Sequence, residues 1–259
     1  MKVYFVGAGP GDPELLTIKG RKVLEEADTI IYAGSLVNPD ILSFAKEGAE
    51  IFDSSKMTLE EIIEVIKRSI REGKKVVRLH SGDLSIYSAL QEQINACEKE
   101  GIDYELIPGV SSFQAASSAL KRELTLPDVS QTVIITRIGG RTSVLESQDL
   151  EVLAKSKATI VLFLSVHEIE KVVSKLKRAG LSDGTPCAVI QRVTWPDQKI
   201  LTGTLKDISE KVKLHGITKH ALIIVGDVLR PTYGRSKLYD PQFEHGRRKK
   251  SEPRNHSYK

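Results

Sequence analysis

The sequence predicts an α/β protein of two domains, each a mostly parallel or mixed sheet flanked by helices. Three observations carry this. Short β-branched runs alternate with amphipathic helical patterns, the alternation pauses once around a proline at 121–131, and a basic stretch poor in aliphatic residues follows the last strand-like run.

In chain order the first half reads VYFVG, PELLTIKGRKVLEEA, TIIYA, LEEIIEVIKRSIREG, KVVRL, IYSALQEQINACEKEG and YELIPG. Period-two and continuous apolar runs mark strands, and apolar residues three or four apart mark helices. Strand-helix alternation of this kind implies parallel strands joined by helical crossovers. After KRELTLPDVSQ the pattern restarts with TVIITRI, ATIVLFL, HEIEKVVSKLKRAG, PCAVIQRV, LKDISEKVKLHG and HALIIVGDVL. Pro196-Asp197, between VIQRVTW and KILTG, reads as a hairpin turn and makes the second sheet mixed. The expected organisation is an N-terminal domain over 1–122, a C-terminal domain over 123–232 and a mobile tail over 233–259.

Composition narrows the function classes. The chain has 259 residues, 40% of them hydrophobic, enough for sizeable cores. It offers neither the apolar run of about 20 residues that a membrane span needs nor a secretory leader, so a cytoplasmic location is expected and no membrane partner. Cys97 and Cys187 form no CxxC pair and read as buried small hydrophobes. The net charge of +4 is concentrated in the tail: residues 234–259 carry eight Lys or Arg against three Asp or Glu, which leaves the body at −1. No nucleic-acid partner is therefore inferred, and the tail is either a solvated segment or an aid in attracting an anionic ligand.

Ligand sites in open α/β sheets form where strands end in glycine-rich turns, and four such turns stand out. Gly7-Ala8-Gly9-Pro10-Gly11-Asp12-Pro13 follows the first strand. It departs from GxGxxG at Asp12, and Pro10 and Pro13 remove N–H donors that a pyrophosphate would use. A tight turn allowing close backbone approach remains. His80-Ser81-Gly82-Asp83 follows KVVRL; Asp83 either accepts from a ribose or ammonium group or caps the backbone at Ser85 to Tyr87. Pro108-Gly109-Val110-Ser111-Ser112 opens the small-residue helix FQAASSAL, with Ser111 either capping it or bonding a ligand. Thr136-Arg137-Ile138-Gly139-Gly140-Arg141-Thr142 sets two arginines around a glycine pair, a candidate carboxylate clamp. HEIEK lacks the second histidine of HExxH, no GxSxG is present, and no histidine spacing suits a metal, so no metal site is expected.

GAGPGDPELLTIKG, SGDLSIYS, PGVSS and HALIIVG, in that order and spacing over residues 1 to about 230, resemble the tetrapyrrole (corrin/porphyrin) methyltransferases. Within them LTIKG, LPDVSQTVIITRIGGRT and VTWPDQKI are similar to the branch acting on precorrin-4 or cobalt-precorrin-4. The resemblance implies methylation of an anionic tetrapyrrole at C11 by S-adenosyl-L-methionine in cobalamin biosynthesis, by a homodimer with its active site in the interdomain cleft. Its alternatives are a tetrapyrrole methyltransferase of other regiospecificity, acting on uroporphyrinogen III, precorrin-2 or precorrin-3, and a diphthine or rRNA methyltransferase of the same fold. Carried onto this chain, the cofactor positions are Pro10, Gly82, Asp83, Ile86, Ser111, Ser112, Leu164, Val193 and Ala221. Arg137, Arg141 and Arg192 are expected to meet substrate carboxylates. No residue declares itself as a base; Asp83, Tyr87 and His80 are the neighbouring candidates. The chain departs from the family's usual GDP and Tyr/Phe-Gly in reading Gly82-Asp83-Leu84 and Tyr87-Ser88, which bears on the shape of that loop.

Overall fold

A computed structural model describes residues 2–140, 142–230, 240, 242–244 and 246. The first sheet comprises β1 (Lys2–Gly7), β2 (Thr29–Tyr32), β3 (Glu50–Asp53), β4 (Val76–His80) and β5 (Asp103–Ile107). Their order is β3-β2-β4-β1-β5 and all pairs are parallel. The crossovers carry α1 (Ile18–Glu25), α2 (Leu59–Arg71) and α3 (Leu90–Lys99). Thr58 starts α2 with a capping box: its hydroxyl accepts from Glu61 N, and the Glu61 carboxylate accepts from Thr58 N. The apolar stripe of that helix buries Ile62, Ile63 and Ile66.

β4 is buried along its whole length, and its side chains alternate between the faces of the sheet. Val77 and Leu79 join Val6, Leu24 and Ile30 on one face, while Val76 turns to Ile66 and Cys97 on the other. The same period sends Arg78 toward α3, where its Nε donates to Gln93 Oε1 at 3.0 Å. β3 was not among the expected strands: it lies at the sheet edge, and Glu50, Ile51 and Asp53 stay exposed, so it lacks a burial pattern. The helix expected from Ile86 begins only at Leu90, because Tyr87 and Ala89 take left-handed backbone angles of φ 52° and 51°.

The second sheet has β6 (Val133–Thr136), β7 (Thr159–Leu162), β8 (Pro186–Gln191), β9 (Lys199–Thr204) and β10 (Ala221–Val225), in the order β6-β7-β10-β8-β9. Only β6 and β7 run parallel; the expected hairpin joins β8 to β9 and closes with Gln191 opposite Lys199. One face is covered by α5 (Leu150–Leu153), α6 (Ile169–Arg178) and α7 (Ile208–Leu214), with Leu150, Leu176 and Ile208 buried against Ile160, Val189 and Ile223. The other face is covered by α4 (Ser112–Leu120), whose Ala115 and Ala116 pack with Val161, Ile190 and Ile224. A helix from the first half of the chain thus belongs to the core of the second sheet. This packing crosses the proposed 122/123 boundary and brings the loops of both sheets together.

Cys97 and Cys187 are free and buried, and burial pushes the Cys97 thiol up to about 11. No helix among the described residues is long and apolar enough to cross a membrane. The expected mobile tail lies almost entirely outside the described residues.

Candidate functional site

Where β1, β4 and β5 end, three loops meet backbone to backbone. Ala8 N donates to His80 O at 2.7 Å, and Gly9 and Gly82 exchange both of their backbone hydrogen bonds. Gly109 closes the group. A Cβ there would fall 2.2 Å from Gly82 O and 2.8 Å from Gly7 Cα, so no larger residue fits this approach. The Asp83 carboxylate ties the loops together, one oxygen accepting from Ser85 N and the other from Gly109 N, each at 2.9 Å. Burial works to raise its pKa, but these hydrogen bonds outweigh it and hold the carboxyl below its usual range. Of the two readings open for Asp83, the capping one is thus present, with a further bond to the neighbouring loop.

Against these loops stand the strand ends of the second sheet, and the space between is a cleft of about 640 Å³. Pro10, Gly82, Asp83, Ile86, Ser111 and Ser112 line it from one side; Leu164, Val193 and Ala221 line it from the other. Tyr87 crosses the gap to Phe163, their ring centroids 5.4 Å apart, and partial burial raises the pKa of its hydroxyl. Ser111 is buried at the start of α4, where its N–H donates to Gln114 Oε1 at 3.0 Å.

The backbone of this region is strained. Tyr87, Leu164, Arg192 and His220 all line the cleft with positive φ, between 48° and 55°. Such angles in residues with side chains cluster at functional sites, where the surrounding structure holds them in place. Leu164 is 63% exposed on the cleft wall, an apolar side chain that no core contact accounts for.

Asp83 is the one acidic residue among the described lining, whereas Arg137, Arg192 and Lys219 contribute cations. The walls therefore favour an anionic ligand. The Arg137 guanidinium reaches the cleft but already donates to the carbonyls of Ile138, Thr142 and Ser143, so it braces its own loop. Arg192 lies 3.0 Å from Asp197 as an ion pair and stacks on Trp195 at 4.1 Å. Arg141 lies outside the described residues. Among the described lining residues a third cation is Lys219, which the sequence reading passed over.

His80 does not belong on the list of candidate bases. It sits behind the 81–88 loop rather than on the cleft wall, with Nδ1 3.1 Å from Ser88 O. Burial, and then the charge of Arg78, lower its pKa to about 3, so it is neutral and its Nδ1–H donates to that carbonyl. It acts by holding the turn that presents Tyr87. His220, on the opposite wall, is also shifted downward, by burial and by the charges of Lys219 and Arg192. Trp195, Lys219, His220 and Phe163 are lining residues that the sequence reading missed. A lone tryptophan in a hairpin turn was the available signal for the first of them.

The model of the family described as Tetrapyrrole (Corrin/Porphyrin) Methylases matches residues 2–209. The chain is 59% identical over 249 residues to the cobalt-precorrin-4 C(11)-methyltransferase of Methanocaldococcus jannaschii, which covers 96% of both proteins. The crystal structure of a cobalt precorrin-4 methyltransferase, a cobalamin biosynthetic enzyme, superposes with a TM-score of 0.87 at 47% identity, covering 89% of this chain and 96% of that one. A uroporphyrin-III C-methyltransferase from Thermus thermophilus, solved in complex with S-adenosyl homocysteine, superposes with a TM-score of 0.71 at 26% identity, covering 89% of this chain and 94% of that one.

Proposed function

The chain belongs to the tetrapyrrole (corrin/porphyrin) methylases, and on that premise we propose that it transfers a methyl group from S-adenosyl-L-methionine to C11 of a precorrin-4-type tetrapyrrole. The observation that carries the reading is the cleft itself. All nine positions that the family resemblance assigns to the cofactor, from Pro10 to Ala221, line one cavity, although they come from six separate loops and strands.

The residues present fit such a cofactor. Gly82, with Gly7 and Gly109 packed against it, presents backbone rather than side chain to the cleft, and Asp83 and Ser111 offer polar atoms beside the apolar Ile86, Leu164 and Val193. When bound, the cofactor supplies a methyl group on a sulfonium that already carries an excellent leaving group. What remains for the protein is alignment and exclusion of water, a contribution worth roughly 7–11 kcal/mol when two reactants are held in attack geometry. Gly82, Asp83 and Ile86 hold the sugar and methionine part, Ser111 and Ser112 line the pocket, and Leu164, Val193 and Ala221 enclose the remainder. Arg192 and Lys219 meet the carboxylates of the macrocycle, with Arg137 stiffening the loop beside them. Tyr87, held across the cleft by Phe163, is the group nearest to a proton-transfer role, and its raised pKa keeps it a neutral donor. The cytoplasmic location and the homodimer implied by the resemblance belong to the same proposal.

Incubation with methyl-labelled S-adenosylmethionine and a precorrin-4-type tetrapyrrole is expected to give a product of one added methyl, which NMR assigns to C11. A label at another carbon would leave the family reading and overturn the regiospecificity.

A further inference from the structure

We propose that Trp195 is a positioning residue: it clasps the first-sheet loop at Pro10–Asp12 and so sets the width of the cleft at its cofactor side. The inference rests on the methyltransferase reading of the cleft and gives a role to Trp195, Thr194 and Gly11, which that reading leaves without one.

The polar backbone of this short loop is almost fully engaged by other parts of the chain. Trp195 Nε1 donates to Pro10 O at 3.0 Å, and Asp12 N donates to Thr194 Oγ1 at 2.9 Å. From the other side the buried Asn38 donates Nδ2 to Gly11 O at 2.9 Å. Two of the three bonds thus come from the β8–β9 turn of the opposite sheet. The turn is itself stiff: Trp195 N donates to Arg192 O, Gln198 N to Trp195 O, and the Gln198 side chain accepts from Thr194 N at 2.7 Å. Arg192 covers the other side of the indole at 4.1 Å. Pro10 and Trp195 both face the cleft, so the clasp and the cavity share a wall.

Gly11 fits this account. Its backbone is not left-handed, so no turn geometry demands glycine there. A Cβ at Gly11 would instead lie 2.2 Å from Trp195 Cδ1 and 2.5 Å from Nε1. Part of the glycine-rich loop is therefore shaped to receive an indole rather than a ligand.

The test is a thermodynamic cycle read by calorimetric binding of S-adenosylhomocysteine, with thermal melting alongside. Trp195→Phe, which keeps a ring under Arg192 but removes the N–H donor, is expected to weaken binding about fivefold with little change in melting temperature. Gly11→Ala is expected to weaken binding about tenfold in the wild-type background and less than about twofold in Trp195→Ala, because the atom it collides with is then gone. The single tryptophan of the chain gives a second readout, since Gly11→Ala should shift its fluorescence before any ligand is added. If the Gly11→Ala penalty persists undiminished in Trp195→Ala, the glycine serves the ligand directly and the clasp is overturned. Loss of melting temperature with unchanged affinity in the Trp195 variants also overturns it, by making the contact purely structural. A wild-type protein that does not bind S-adenosylhomocysteine would instead sink the reading of the cleft.

Discussion

On the first-sheet wall of the cleft, loops approach one another through glycine: Gly7 and Gly109 have no room for a Cβ, Gly82 holds a left-handed φ of 64°, and Asp83 ties the loops. On the second-sheet wall, Leu164, Arg192 and His220 carry full side chains on left-handed backbone, as Tyr87 alone does among the described first-sheet lining. The first wall is made by removing side chains so that backbone can close on backbone, and it costs chain entropy in the unfolded state. The second is made by forcing side chains into place, and it stores strain in the folded one. A glycine-lined wall offers shape and backbone donors, whereas a strained wall offers specific side chains.

The division can be broken most severely at Gly109. Alanine there has to displace backbone atoms of both Gly7 and Gly82, none of them at the end of a flexible side chain. The expected cost is roughly 3–5 kcal/mol of stability, in the range reserved for such backbone clashes. That corresponds to a fall in melting temperature of about 6–20 °C for a chain of this size. Displaced loops would also lower kcat/KM by about a hundredfold, the penalty for misplacing reacting groups by an ångström. Scanning calorimetry and steady-state assays check both. An alanine variant with wild-type melting would mean that the three loops do not meet as described.

A smaller effect separates holding from chemistry behind the same wall. The His80 pKa is depressed to about 3 from 6.5, chiefly by burial. Between those values the unfolded chain takes up a proton that the native protein refuses, so stability falls as pH drops from about 6.5 toward 3, by up to about 1.4 kcal/mol per pH unit. Above 6.5 neither state is protonated and this contribution is constant. His80→Gln removes the titrating group while keeping a donor for Ser88 O, and it should flatten the acid limb by about one proton. Denaturant unfolding at a series of pH values measures the slope. Catalysis in the variant is expected to persist at neutral pH, since His80 touches the turn and not the cleft; abolition of turnover with an intact fold would return it to the candidate bases.

The two walls also differ in how far they could be read from the chain. GAGPGDP, SGD and PGVSS are legible because glycine at a strand end has few other uses, and the parallel sheet that aligns those ends follows from the strand-helix alternation. The interdomain position of the cleft came with the family resemblance rather than from spacing. The second wall resists reading because its groups are brought in by antiparallel pairing. Trp195 reaches Pro10 across 185 positions of sequence, and Lys219 and His220 merely precede β10. Arg137 was legible as a cation near the site, yet its donors turn inward to three carbonyls of its own loop, a geometry no local pattern encodes. β3 escaped for a related reason, since an exposed edge strand has no buried face to impose a period.

The mildest intervention sharpens the comparison most, because it predicts opposite signs for stability and function. Leu164, two residues beyond β7, has φ 50° and is 63% exposed, so replacing it by glycine removes little packing. Relief of a left-handed angle is worth about 1–2 kcal/mol, against about 0.5–1 kcal/mol of extra entropy that glycine gives the unfolded chain. Leu164→Gly should therefore stabilise the protein by roughly 0.5–1 kcal/mol, a rise in melting temperature of about 1–4 °C. The same change strips an apolar contact from the cleft wall and should raise KM several-fold. Gly109→Ala, by contrast, loses stability and activity together. If Leu164→Gly melted lower than wild type, the left-handed turn would be stabilised by contacts of the leucine side chain. The second wall would then be packed rather than strained, and the contrast between the two would dissolve.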